Sequence, residues 1–225
     1  MKNLRHILAL LQKDILIELR SREVIWSMVV FAITVLVVFN FIFDPGTDMM
    51  RVTTPGIMWV AIIFSANLGL NRTFVKEQEA GRMQGILLTP MDRGSVYIAK
   101  VLANVIFIGA VQVIMLPIMI ILYDMQLSGR FGWLVLVLFL GIFGFAAVGT
   151  LFSAIAANTK SREIMLPILL LPVSVPIILG AIKSTQAVLN PGPMAQFYPW
   201  LRMLIGFDVV FAVLCYLLYE YVIEE

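Results

Sequence analysis

The sequence predicts an all-α integral membrane protein with six transmembrane helices, preceded by an N-terminal interfacial elbow helix. Three observations carry that fold class. Only 13% of the 225 residues are charged, against roughly 25% in a soluble globular domain. The 16 basic and 14 acidic residues fall in short clusters, leaving uncharged windows of membrane-spanning length between them. The basic residues also alternate in number from one connection to the next, as they do when a chain crosses a bilayer repeatedly.

Residues 1–22 are predicted to form the elbow. At 100° per residue, Leu4, Ile7, Leu8, Leu11, Ile15 and Leu19 share one helical face, with Lys2, His6, Lys13 and Arg20 opposite. An apolar stripe facing a basic one suits a helix lying in the headgroup region. Glu18 intrudes on the apolar face and spoils the pattern.

Five spans follow from uncharged windows: Val24–Phe43 and Val52–Asn71 (20 residues each), Val101–Tyr123 (23), Phe131–Thr159 (29) and Ile164–Ile182 (19). At about 1.5 Å per residue, each crosses a hydrocarbon core of about 30 Å. Including their flanks, the expected spans lie near 24–43, 52–71, 97–123, 131–157 and 164–182. The sixth, near 203–223, contains Asp208 and Glu220, which are expected near its two ends, where carboxylates reach the interface. The first span follows 23 residues and lacks a small-x-small cleavage site, so it reads as an uncleaved anchor.

Local chemistry refines the spans. Pro55-Gly56 open the second, where the missing proline N–H costs little. The fourth carries small residues in two rows, Gly149, Ser153, Ala157 and Ala146, Thr150, Ala154, which permit close helix approach within the chain. Pro167, Pro172 and Pro176 predict a kinked or broken fifth helix. Phe197-Tyr198-Pro199-Trp200 suit the aromatic belt.

Twelve basic residues lie before the first span and in the even connections, and four in the odd ones. By the positive-inside rule both termini are expected in the cytoplasm. The net charge of +2 is therefore topological, and no basic tract with interleaved aromatics predicts nucleic-acid binding.

Several chemistries are missing from the sequence. There is no Walker A motif; the nearest stretch, Gly180-Ala181-Ile182-Lys183-Ser184, lacks the loop spacing of a phosphate cradle. His6 is the only histidine and Cys215 the only cysteine, which excludes a paired-histidine haem site, a cysteine metal cluster and an internal disulfide. Met115 and Met119 read as packing residues. The interiors of the first five spans lack ionisable groups, which disfavours secondary active transport. Asn67, Asn104 and Gln112 read as interhelical hydrogen-bonding residues.

The most informative segment is the connection from Arg72 to Gly94. It is longer than a turn requires and mixes both charge signs with an apolar row of Met83, Ile86 and Leu87; Gly81 and Gly85 weaken its helix and Pro90 ends it. The run Glu77-x-Glu79-x-Gly81-Arg82, followed by Leu87-Leu88-Thr89-Pro90 and Ala99-Lys100-Val101-Leu102, resembles the cytoplasmic loop of ABC export permeases. Two further stretches narrow the resemblance: Pro55-Gly56-Ile57-Met58-Trp59-Val60-Ala61, and Leu166-Pro167-Ile168-Leu169-Leu170-Leu171-Pro172 with Pro176-Ile177. Together they resemble the haem exporter protein B family, the membrane subunit of the cytochrome c maturation system.

The resemblance implies a single ABC export-type transmembrane domain over residues 1–225, with a cytoplasmic coupling helix in residues 73–90. It marks Glu77, Glu79, Gly81, Arg82, Leu87 and Pro90 as the ATPase-coupling segment and leaves haem-binding residues unassigned. It implies a non-catalytic permease in the bacterial inner membrane, partnered by an ABC ATPase subunit that binds ATP, a tryptophan-rich haem-handling membrane protein, a periplasmic haem chaperone and a possible second permease copy. Haem is then transported or held by partners. Two other functions remain open at this level: a generic ABC export permease for a lipid-linked or drug-like substrate, and a non-transporting scaffold for ATP-driven release of a haem-loaded chaperone.

Overall fold

The computed structural model describes residues 2–43, 46–79, 92–125, 129–157, 162–190 and 192–224. In chain order the helices are α1 (Lys2–Ser21), α2 (Glu23–Ile42), α3 (Asp48–Glu79), α4 (Arg93–Leu122), α5 (Phe131–Ala157), α6 (Arg162–Leu189) and α7 (Phe197–Glu224), with a 3-10 turn at Met194–Gln196. Six of them, α2 to α7, are long and apolar enough to cross a membrane. The architecture is all-helical with six candidate spans, the fold class expected from the uncharged windows.

Arg22 separates α1 from α2 in a left-handed conformation, φ 54°, which a bulky side chain rarely adopts. Arg22 supplies no side-chain cap to α2. Glu18 does so instead: its Oε1 accepts from the Ile25 N–H at 2.9 Å, a donor in the first turn of α2 that has no helical partner. The residue that spoils the amphipathic pattern of α1 is therefore a cap for the next helix. Leu10, Asp14 and Glu18 form the protein-facing stripe of α1, while Leu4, Leu8 and Leu19 are exposed.

Helices α3 and α5 are the most enclosed spans. Their approach is set by Trp59 on α3, which is buried against Gly141 of α5; a Cβ at 141 would fall on the indole ring. The Trp59 Nε1–H donates to Thr185 Oγ1 of α6 at 3.0 Å, so a large aromatic is fixed at both its apolar body and its polar edge. The small-residue rows of α5 serve the same close packing. Gly149 receives Leu70 of α3, and Thr150 accepts from Asn104 Nδ2 of α4 at 2.9 Å while donating to the Ala146 carbonyl. Asn104 thus makes its expected interhelical bond, whereas Asn67 Oδ1 and both side-chain polar atoms of Gln112 have no hydrogen-bond partner among the described residues.

Three features sharpen or correct the expectations. Of a kink or a break in α6, the break is ruled out, since one helix runs through all three prolines. Its packed stripe is Leu166, Leu170, Ser174, Ile177 and Ala181, whereas Pro172 is exposed and Pro167 and Pro176 are half-buried. The prolines lie off this buried stripe. Secondly, Phe197 is buried against Trp133, ring centroids 5.2 Å apart, while Tyr198 remains exposed. Thirdly, α7 begins at Phe197, ahead of the expected 203, so Asp208 is the twelfth of its 28 residues. Instead of reaching an interface it is buried in the interior, at 3% exposure.

At the end of the bundle away from α1, Tyr123 donates to the Leu36 carbonyl and Asn40 to the Leu122 carbonyl, both at 2.8 Å, tying α2 to α4. Arg130 donates to the Gly192 carbonyl at 3.0 Å, holding the connection before α5 to that before α7.

A candidate coupling junction at the α1 end

The segment between α3 and α4 was singled out by its sequence, and its flanks define a site. Helix α3 continues through Glu79, which places Glu77 and Glu79 on its last turns. Gly81, Arg82, Leu87 and Pro90 lie outside the described residues. On the far side α4 starts abruptly. Asp92 caps it by accepting from the Ser95 N–H at 3.2 Å and from the Ser95 hydroxyl at 3.3 Å, satisfying one of the orphan donors of the first turn.

Two turns into α4, Lys100 points at α1. Its ammonium donates to Asp14 Oδ2 at 2.8 Å, with both side chains almost fully buried. Lys13 lies 3.1 Å from the other carboxylate oxygen of Asp14, partly exposed. Burying these charges is costly, and only their close geometry offsets the lost hydration. Removing one partner from such a pair costs about 3–5 kcal/mol, because the survivor is a buried bare charge. The pair therefore fastens α1 rigidly to the helix that emerges from the singled-out segment.

A second set of contacts joins the same part of α4 to α5 and α7. Tyr97 donates its hydroxyl to the Ala147 carbonyl of α5 at 3.1 Å. Its ring meets Tyr216 and Tyr219 of α7 at centroid distances of 6.3 and 5.1 Å. Gly94 lets the start of α4 approach Tyr216, since a Cβ there would overlap the phenol. Arg72 near the end of α3 reaches Glu23 of α2 at 3.8 Å, an exposed and correspondingly weak pair. The helix leaving the segment is thus pinned at once to α1, α5 and α7.

Such a junction can transmit displacement. No group of three or more His, Cys, Asp or Glu side chains that could hold a metal ion occurs among the described residues. His6 is half-buried, with Nδ1 unpartnered among the described residues, and Cys215 is buried and free.

Comparison with known proteins decides the family. The family model described as CcmB protein matches residues 5–220, nearly the whole chain. The chain belongs to the CcmB family. Among curated relatives, "Heme exporter protein B" of Pseudomonas aeruginosa is 29% identical over 185 residues, 82% of each chain. The protein of that name from Bradyrhizobium diazoefficiens is 27% identical over 85% of this chain and 86% of its own, and that from Haemophilus influenzae 25% over 80% and 81%. The resemblance drawn from Glu77 to Lys100 and the two proline-rich stretches is therefore the correct one. As a CcmB family member the chain is a membrane permease subunit, and its junction has to be understood as part of one.

What the sequence missed was the Lys100–Asp14 pair. Lys100 borders the uncharged window Val101–Tyr123, and in the fold it lies inside α4 and is 1% exposed. A signal was present: Asp14 and Glu18 sit four residues apart on a helix whose other positions of that stripe are apolar, which requires partners for both.

Proposed function

We propose that this chain is the permease subunit of an ATP-driven complex that delivers haem for c-type cytochrome biogenesis. The observation that carries this reading is the family match over residues 5–220, together with relatives of matching length named heme exporters. In this reading the chain is non-catalytic, lies in the bacterial inner membrane with both termini in the cytoplasm, and works with a separate ATPase, a haem-handling membrane partner and a periplasmic haem chaperone. A single histidine agrees with haem being held chiefly by those partners.

Coupling follows from the junction. The ATPase docks on residues 73–90, with Glu77, Glu79 and Arg82 setting its register and Leu87 supplying apolar contact, because interfacial charges select orientation while apolar groups add affinity. A displacement of that segment moves the start of α4. The Lys100–Asp14 pair passes it to α1, and the Tyr97 cluster passes it to α5 and α7. A ligand can shift such packing only through contacts that differ between the two arrangements.

Glu77→Lys combined with Glu79→Lys tests the docking. The reading predicts loss of ATPase co-purification and of holocytochrome c, with the permease itself still inserted. Unchanged co-purification and yield would refute the assignment of this segment.

A further inference from the structure

The middle of the bundle holds a carboxyl group that neither the fold nor the coupling scheme uses. Asp208 is nearly inaccessible, and neither of its side-chain oxygens has a hydrogen-bond partner among the described residues. It rests on α5 at Gly144, the central residue of that 27-residue helix; a Cβ at 144 would fall on Asp208 Oδ1. Ile177 of α6 closes the same spot, its Cδ1 lying 3.2 Å from where that Cβ would stand. The acid is thus sealed between a bare stretch of α5 backbone and an aliphatic side chain.

No cation faces it. Helix α5 has no ionisable side chain. On α6 the nearest charged residue in sequence to Ile177 is Lys183, which is exposed and bonded to Gln186 at 3.4 Å. On α4, Lys100 is engaged with Asp14 and Arg93 lies in the first turn, both at the α1 end; Tyr97 faces Tyr216 and Tyr219 there. On α7 itself Arg202 is exposed, Cys215 is two turns further on, and the 3-10 turn Met194–Gln196 has no charge. A bare carboxylate in hydrocarbon surroundings costs far more than any packing returns, so the group must be neutralised by something small enough to share its seat.

We propose that Asp208 is an intramembrane proton-binding site: its carboxyl holds a proton while α7 lies on Gly144, and exchanges it with water only when α7 parts from α5. On parting, the O–H bond breaks heterolytically and the proton passes to water; on closing, the carboxylate takes a proton back from water. No electron moves. Ser174, fully buried one turn from Ile177 on the inner stripe of α6 with its hydroxyl unpartnered among the described residues, is the next polar group on that wall. The site stands on the geometry of α5, α6 and α7 and holds whatever the permease carries. Two spans thus bury an ionisable group: the third holds Lys100, which is paired, and the sixth holds Asp208 at its middle.

Infrared spectroscopy of the full chain in lipid nanodiscs at neutral pH reads the proton directly. The wild type, labelled with carbon-13 at the aspartate carboxyl, is predicted to show an isotope-shifted carboxylic-acid C=O band that Asp208→Asn removes. Asp208→Glu, which keeps an acid but takes it out of the label, gives the same assignment should the asparagine variant fail to fold. Transfer to deuterium oxide should shift the wild-type band slowly, and about tenfold faster in Gly144→Ala, whose methyl pries α7 from α5. Absence of any aspartic-acid band in the labelled wild type would overturn the proposal, as would a carboxylate band that responds to sodium in place of it. Complete exchange on mixing in the wild type would overturn the sealed site.

Discussion

Asp14 and Asp208 are the same residue type at nearly the same burial, and the chain treats them in opposite ways. Asp14, at the α1 end, meets Lys100 at 2.8 Å and Lys13 at 3.1 Å. Asp208, at the middle of α7, meets a glycine, an isoleucine and no described hydrogen-bond donor. A buried carboxylate that has found a cation is a fastener, since it fixes two helices in one relative position. A buried carboxyl without one is a group whose state depends on whether its seat stays closed. In the proposed coupling the first belongs where force would enter the bundle, the second where helices would have to part.

The comparison can be broken most severely by making Asp14 resemble Asp208. Lys100→Met leaves Asp14 buried without its main partner and should destabilise the protein by about 3–5 kcal/mol. A chemical unfolding midpoint in detergent measures it, and a loss below ~1 kcal/mol would mean that the partly exposed Lys13 suffices. Replacing both partners, Asp14→Leu with Lys100→Met, should recover most of that loss, because two apolar groups of similar volume satisfy each other.

A smaller effect is expected at Glu18, whose carboxylate caps α2 through Ile25 without a cation. Glu18→Ala should cost about 1 kcal/mol, the usual worth of a lost helix cap. Because Arg22 already holds a left-handed backbone at that joint, the loss should appear as fraying between α1 and α2, measurable as faster amide exchange around Val24 and Ile25. The smallest effect belongs to the exposed Arg72–Glu23 pair at 3.8 Å. Arg72→Ala should change stability by no more than about 0.5 kcal/mol, and a larger shift would show that this pair shares the work of the Lys100–Asp14 fastener.

These contrasts also mark what could be read from residues alone. The spans were legible because apolar length is a one-dimensional property: windows such as Val24–Phe43 correspond to helices almost end to end. The sixth was displaced because its aromatic start, Phe197 to Trp200, looks like an interfacial loop by composition, whereas the backbone is helical from Phe197, whose ring packs on Trp133. That shift moved Asp208 from a presumed edge to the interior. The prolines of α6 left a kink and a break equally open for a related reason, since sequence counts them but does not say that Pro172 lies on the exposed side. In the site, Glu77 to Pro90 stood out through motif resemblance, whereas Lys100 and Asp14, 86 positions apart, meet only once α1 folds back across α4. Pairing at that distance leaves no periodic trace.

The central claim of the proposed coupling is that movement of the segment between α3 and α4 enters the bundle through the α1–α4 fastener. Holocytochrome c yield in cells carrying the Asp14→Leu/Lys100→Met double variant, with permease abundance and ATPase co-purification measured alongside, tests it most directly. The account predicts a stable permease that still retains the ATPase but delivers only a small fraction of the wild-type yield. A wild-type yield from that variant would contradict it.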